Sequence, residues 1–112
     1  MSKLSALLCF LAVNLYGAEY TLTFDIDPNG KASWQQWLME YRGRAITVDS
    51  RDKYMELATA KANVILTANA MDLHTLYGKG TDQEKYEKFL SYLKEARVAR
   101  LELKRLVNQY SR

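Results

Sequence analysis

Asp25, Asp27 and Asn29 stand two residues apart and are followed at once by Gly30. That is the spacing of the first half of a calcium loop. In such a loop, oxygen ligands come from positions 1, 3, 5, 7, 9 and 12, and a glycine at position 6 makes the sharp turn. Counting from Asp25 puts Asp27 at 3, Asn29 at 5, Gly30 at 6, the Lys31 carbonyl at 7, Ser33 at 9 and Gln36 at 12. The closing position departs from the pattern. It calls for a bidentate glutamate, and Gln36 offers one neutral oxygen. Only two formal negative charges remain, so such a site would bind weakly, at about 10⁻⁴ to 10⁻³ M or above. A metal-free reading accounts for the same residues. Asp25 and Asp27 form the solvent face of a strand, Pro28 to Gly30 turn the chain, and Ser33 with Gln36 caps a helix. The turn is the preferred reading, no cofactor is required, and weak Ca²⁺ binding is the alternative.

Little else in the chain has the makings of chemistry. His74 is the single histidine. A general base needs a partner and a pocket, and Asp72, two residues away, falls on a different helical face. The sequence contains no phosphate-cradling glycine loop, no H-E-x-x-H and no cysteine pair. No catalytic residue is assigned.

The elements around these residues are easier to read. From Glu19 to Asp27 the chain alternates, with Tyr20, Leu22, Phe24 and Ile26 on one side and Thr21, Thr23, Asp25 and Asp27 on the other. This is the pattern of a half-buried strand. Ser33 and Gln36 have the spacing of a capping box. Trp34, Trp37, Leu38 and Tyr41 then recur at helical intervals, and Gly43 stands where a helix would stop. Residues 45–48, AITV, form a second strand, parallel to the first if the crossover is regular and antiparallel if it is hairpin-like. Two strands alone are marginal, so they must pack on helices or on another chain.

Residues 50–77 contain no breaker and are rich in helix formers. Asp52, Glu56, Thr59, Asn63, Thr67 and His74 make a narrow polar sector. Leu57, Val64, Ala68 and Met71 line one flank and Met55, Ala62, Leu66 and Leu73 the other, so this helix has apolar surface for more than one neighbour. Gly78 and Gly80 break it. Thr81 and Glu84 form another capping box, and a last helix runs over residues 82–110. Its seam is Tyr86, Phe89, Leu93, Ala96, Arg100, Leu103, Val107 and Tyr110, broadened by Leu90, Leu101 and Leu106. The expected fold is therefore α+β and mostly helical. A long antiparallel α-hairpin, each arm about 40 Å long, carries a small β-α-β element (residues 19–48) at the N-terminus of the mature chain.

Residues 1–18 are expected to be a signal peptide. Lys3 precedes an apolar run from Leu4 to Val13, and the small residues Gly17 and Ala18 follow. The run is shorter than the roughly 20 apolar residues that span a bilayer. Residues 19–112 would then be a single mature domain, periplasmic or secreted. Cys9 lies within the leader, so the mature chain has no disulfide, no thiolate metal site and no cysteine nucleophile. Cleavage removes only Lys3 of the 16 basic residues, which leaves the rest close to balance against 13 acidic ones. The basic residues gather late, at Lys94, Arg97, Arg100, Lys104, Arg105 and Arg112. They are interleaved with Glu95 and Glu102, as on a solvated helix.

A hairpin this long beside so small a core exposes apolar surface unless something covers it. The expected function is accordingly that of a non-enzymatic module that binds another protein, as a chaperone, inhibitor or envelope assembly factor, and that also self-associates. Exported hairpins with a minor β element are similar in architecture, though in no motif, to periplasmic holdase chaperones. Candidate partner-binding residues are Trp34, Trp37 and Tyr41 on the aromatic helix and Arg97, Arg100 and Arg105 on the last one. The basic helix also offers a membrane surface something to attract. No nucleic-acid-binding module is recognisable.

Overall fold

The computed structural model describes residues 18–111. The expected leader, with Cys9, lies outside them except for Ala18. Among the described residues no helix is long and apolar enough to cross a membrane.

Strand β1 (Tyr20–Thr23) pairs antiparallel with β2 (Ala45–Val48), so that Tyr20 faces Val48 and Thr23 faces Ala45. Two further bonds extend the ladder, from Phe24 N to Arg44 O (3.2 Å) and from Gly43 N to Phe24 O (3.4 Å). Gly43 has φ +74°, a left-handed conformation that only glycine adopts without cost. The connection leaves and re-enters at the same end of the sheet, as a hairpin with an elaborate loop. This settles the strand direction: the crossover helix is too short to carry the chain back for parallel pairing. Helix α1 is a single turn, Trp34–Trp37, followed by a 3₁₀ turn over Met39–Tyr41. The alternation predicted for residues 20–26 is seen in the burial. Leu22, Phe24 and Ile26 point into the core and their neighbours point to solvent.

Helix α2 (Arg51–Tyr77) begins at Ser50, whose Oγ accepts from Lys53 N (3.2 Å). Helix α3 (Asp82–Tyr110) begins with the predicted capping box. Glu84 N donates to Thr81 Oγ1 (3.1 Å) and Thr81 N donates to Glu84 Oε1 (3.2 Å). These bonds hold the Glu84 carboxyl below its ordinary pKa.

The core gathers at one end of the hairpin. Leu22, Phe24, Ile26, Ile46 and Val48 of the β element meet Leu38 and Tyr41. Both groups rest on Leu57, Ala60 and Val64 of α2 and on Leu103, Leu106 and Val107 of α3. Toward the other end only Ala68, Met71 and Ala96 remain buried. The predicted α3 seam is therefore only partly used. Ala96, Leu103 and Val107 are buried, Phe89, Leu93 and Tyr110 are half-buried, and Tyr86 and Arg100 are exposed. Tyr86 lies where the hairpin has run past the sheet. Arg100 turns aside to pair with Glu40.

Candidate functional site

The calcium-spaced loop is closed by hydrogen bonds of its own. Asn29 N donates to Asp27 Oδ1 (2.9 Å), an aspartate turn, and Gly30 N donates to Asp27 O (3.0 Å). Asp27 N donates to Gln35 Oε1 (3.0 Å). The glutamine lying over the loop is thus Gln35, while Gln36, the twelfth position of the calcium count, is exposed. Among the described residues no three acidic, histidine or cysteine side chains converge as a metal-binding group.

The predicted Ser33–Gln36 capping box does not form. Ser33 has helical dihedrals (φ −64°, ψ −25°) and its side chain caps nothing. Its hydroxyl lies 2.8 and 2.9 Å from the two carboxylate oxygens of Asp72 on α2, and Ser33 N also reaches Asp72 Oδ2 (3.3 Å). The hydroxyl donates to a carboxylate instead of accepting from its own helix, so the serine ties the short helix to the long one. Asp72 is thereby turned away from His74. Nε2 of His74 lies 2.8 Å from the Lys85 carbonyl, which only accepts, so Nε2 carries the proton. The ring lies 5.5 Å from that of Tyr92. His74 pins α3 to α2, and with Lys79, Glu84, Glu87 and Lys88 it lines an open groove of about 470 Å³.

Of the aromatic candidates, Tyr41 is fully in the core, stacked on Phe24 at 5.1 Å. Trp34 and Trp37 pack against the core edge and stay half-exposed. The Tyr41 hydroxyl is buried and has no hydrogen-bond partner among the described residues. Burial raises its pKa above the ordinary value of 10.0, and the Glu40 carboxylate adds to this against Arg100 and Arg44. A buried unpaired hydroxyl costs about 1–3 kcal/mol. Tyr41→Phe should therefore keep or raise the neutral-pH melting temperature, by the equivalent of about 1 kcal/mol. The sign with pH follows from the raised folded pKa. The stability this residue contributes is present below the unfolded tyrosine's pKa and is lost as the pH climbs past it. Melting followed by circular dichroism should show a smaller alkaline loss in Tyr41→Phe than in the wild type. A neutral-pH loss of more than about 1 kcal/mol would mean that the hydroxyl has a partner.

The three candidate arginines are not equivalent. Arg100 pairs with Glu40 (3.1 Å). Arg105 is occupied by Glu102 (2.6 and 3.0 Å) and Gln109 (3.1 Å), and the same contact holds the Glu102 carboxyl below its ordinary pKa. Arg97 makes no ion pair among the described residues. With Glu40, Arg100, Leu101 and Lys104 it lines an open groove of about 340 Å³. Residue order alone could not separate these three cations.

Five of the nine large exposed apolar side chains among the described residues lie around the free end of the hairpin. Leu73, Leu76 and Tyr77 end α2, and Tyr86 and Leu90 occupy the first turns of α3. Leu76 and Tyr77 are 70% and 73% exposed. Leu73, Tyr86 and Leu90 were legible as apolar positions of their helices. That no part of the fold covers them was not.

No protein-family model, curated protein or solved structure matches this chain.

Proposed function

We propose that the protein is an exported, non-enzymatic binding module that holds apolar segments of other proteins at the free end of its helical hairpin. The observation that carries this reading is the group of exposed side chains Leu73, Leu76, Tyr77, Tyr86 and Leu90, set beyond the reach of the β element. Soluble monomers rarely leave large apolar groups clustered without a use. The elements fit a holder. One end is stiffened by the core, and the other presents apolar side chains on two long helices. Arg97 and Lys104, farther along α3, suit a client with acidic flanks. At the free end His74 bonds the Lys85 carbonyl and so braces the two helices that present these side chains.

The test is suppression of aggregation. The protein, mixed with a heat-unfolding client, should lower light scattering in proportion to its concentration. The triple variant Leu76→Glu, Tyr77→Glu, Leu90→Glu should need at least about tenfold more protein, since each buried apolar side chain contributes roughly 1.5–3 kcal/mol. All three positions are exposed, so helix content should be unchanged. Equal potency of wild type and variant, or no effect from the wild type in excess, would refute the reading.

A further inference from the structure

The flank of α2 that faces away from α3 carries a second seam. Met55, Thr59, Ala62, Leu66, Asn69, Leu73 and Leu76 follow one another at alternating spacings of four and three residues. That is the a/d repeat of a helix built to pack on another helix. Among the described residues no element packs along it, though Met55 and Thr59 border an open groove shared with Glu102 and Leu106 of α3. Met55 is 48% exposed, Leu66 63% and Leu73 58%, and Thr59 and Ala62 are also exposed. The opposite face of the same helix, through Leu57, Val64, Ala68 and Met71, is the one that meets α3 and the core.

We infer that this seam is a dimer interface in which α2 packs antiparallel on α2 of a second copy. The order of residue sizes along the seam identifies the occupant. When the two helices run antiparallel with Leu66 facing Ala62 of the second copy, every other layer falls into place. Asn69 meets Thr59, and Leu73 meets Met55. A two-fold axis repeats the same layers in reverse, as an isologous contact requires. Large side chains then face small ones at the centre, the two polar seam residues face each other within hydrogen-bonding reach, and Leu73–Met55 pairs follow on both sides, with Leu76 falling opposite Asp52 at the rims. Shifting the register by one layer in the direction that sets Leu66 on Asn69 breaks this matching. The parallel arrangement stacks Ala62 on Ala62 between a Thr59 pair and a Leu66 pair, which leaves a narrow layer beside a wide one. The flanking positions add no like-charge clash in the antiparallel pairing. Asn63 falls near its own copy on one side and Ile65 near its own copy on the other.

The expected strength follows from the size of the contact. From Met55 to Leu76 the helix is about 32 Å long, and half its circumference over that length is about 500 Å² per copy. The total of about 1,000 Å² is near the lower limit for a specific interface, so the dimer exchanges readily with monomer. The dimer leaves Tyr77, Tyr86 and Leu90 uncovered at opposite ends of the pair. Leu73 and Leu76 belong both to this seam and to the client-holding group, so the dimer is tested at Thr59, Leu66 and Asn69, which that reading does not use.

Cysteine cross-linking tests both contact and direction. The full chain is used with Cys9→Ser, so that no other thiol is present. Under mild oxidation the double variant Thr59→Cys, Asn69→Cys should form a covalent dimer, and each single variant should stay monomeric. In sedimentation equilibrium the wild type should pass from monomer to dimer as concentration rises through the micromolar range. Leu66→Glu should remain monomeric at least tenfold higher in concentration with unchanged helix content. A covalent dimer from Asn69→Cys alone would mean parallel packing and overturn the proposal. So would a wild type that stays monomeric throughout, or a Leu66→Glu variant that dimerises as well as the wild type.

Discussion

Leu57→Ala should lower the unfolding free energy by about 2–5 kcal/mol. Leu57 is fully buried where the β element, α2 and α3 meet, in one cluster with Phe24, Leu38, Leu103 and Leu106. Three layers bear on it, so the cavity left by alanine has no free side from which to collapse. A domain of this size has only about 5–10 kcal/mol in total, so the variant is expected to be partly unfolded at 37 °C. Urea titration followed by circular dichroism measures the difference. Leu101→Ala is the internal control. The same atoms are removed, but from an exposed position on α3, and a change within about 0.5 kcal/mol is expected. If the two variants were equally stable, the core would not lie at this end of the hairpin.

Asp72→Ala should cost about 1–3 kcal/mol and loosen the tryptophan turn. The carboxylate is the acceptor for both the hydroxyl and the backbone amide of Ser33. Its removal leaves two donors that water must reach in a half-buried place. Ser33→Ala removes only the hydroxyl and should cost less, about 1 kcal/mol. The double variant should be no worse than Asp72→Ala by more than a few tenths, because the two groups spend their energy on each other. Trp34 and Trp37 report the local effect directly. In Asp72→Ala their emission should shift to longer wavelength and be quenched more readily by acrylamide under native conditions. Unchanged fluorescence together with unchanged stability would show that the tether does not hold the helix.

Where the sequence was informative and where it was not follows from the range of the interactions. The Thr81–Glu84 box was legible because both partners lie within one turn and their bonds are with each other. Ser33 and Gln36 have the same spacing, yet Ser33 bonds to a residue 39 positions away. No local pattern registers so distant a competitor. The alternation of residues 20–26 was legible because burial on one face of a strand forces it. The direction of pairing was not, because it depends on how far the crossover carries the chain, and the crossover helix proved to be one turn. The two apolar flanks of α2 were both legible, but α3 covers one and leaves the other bare. The candidate arginines illustrate the same limit. Arg97, Arg100 and Arg105 look alike in sequence, and only Glu40 and Glu102 distinguish them.

The residues that close the core come from the second half of α3. Leu103, Leu106 and Val107 complete the packing against β1, β2 and Leu57. Tyr110 then fastens the end through its hydroxyl, which donates to Glu56 (2.5 Å), and Arg44 reaches Ser111 (3.2 Å). A growing chain therefore has no core to condense on until those residues have left the ribosome. Until they are in place the two strands and the tryptophan turn are too small to stay folded alone. The β element and α2 therefore gain their shared core only when the second half of α3 docks on them.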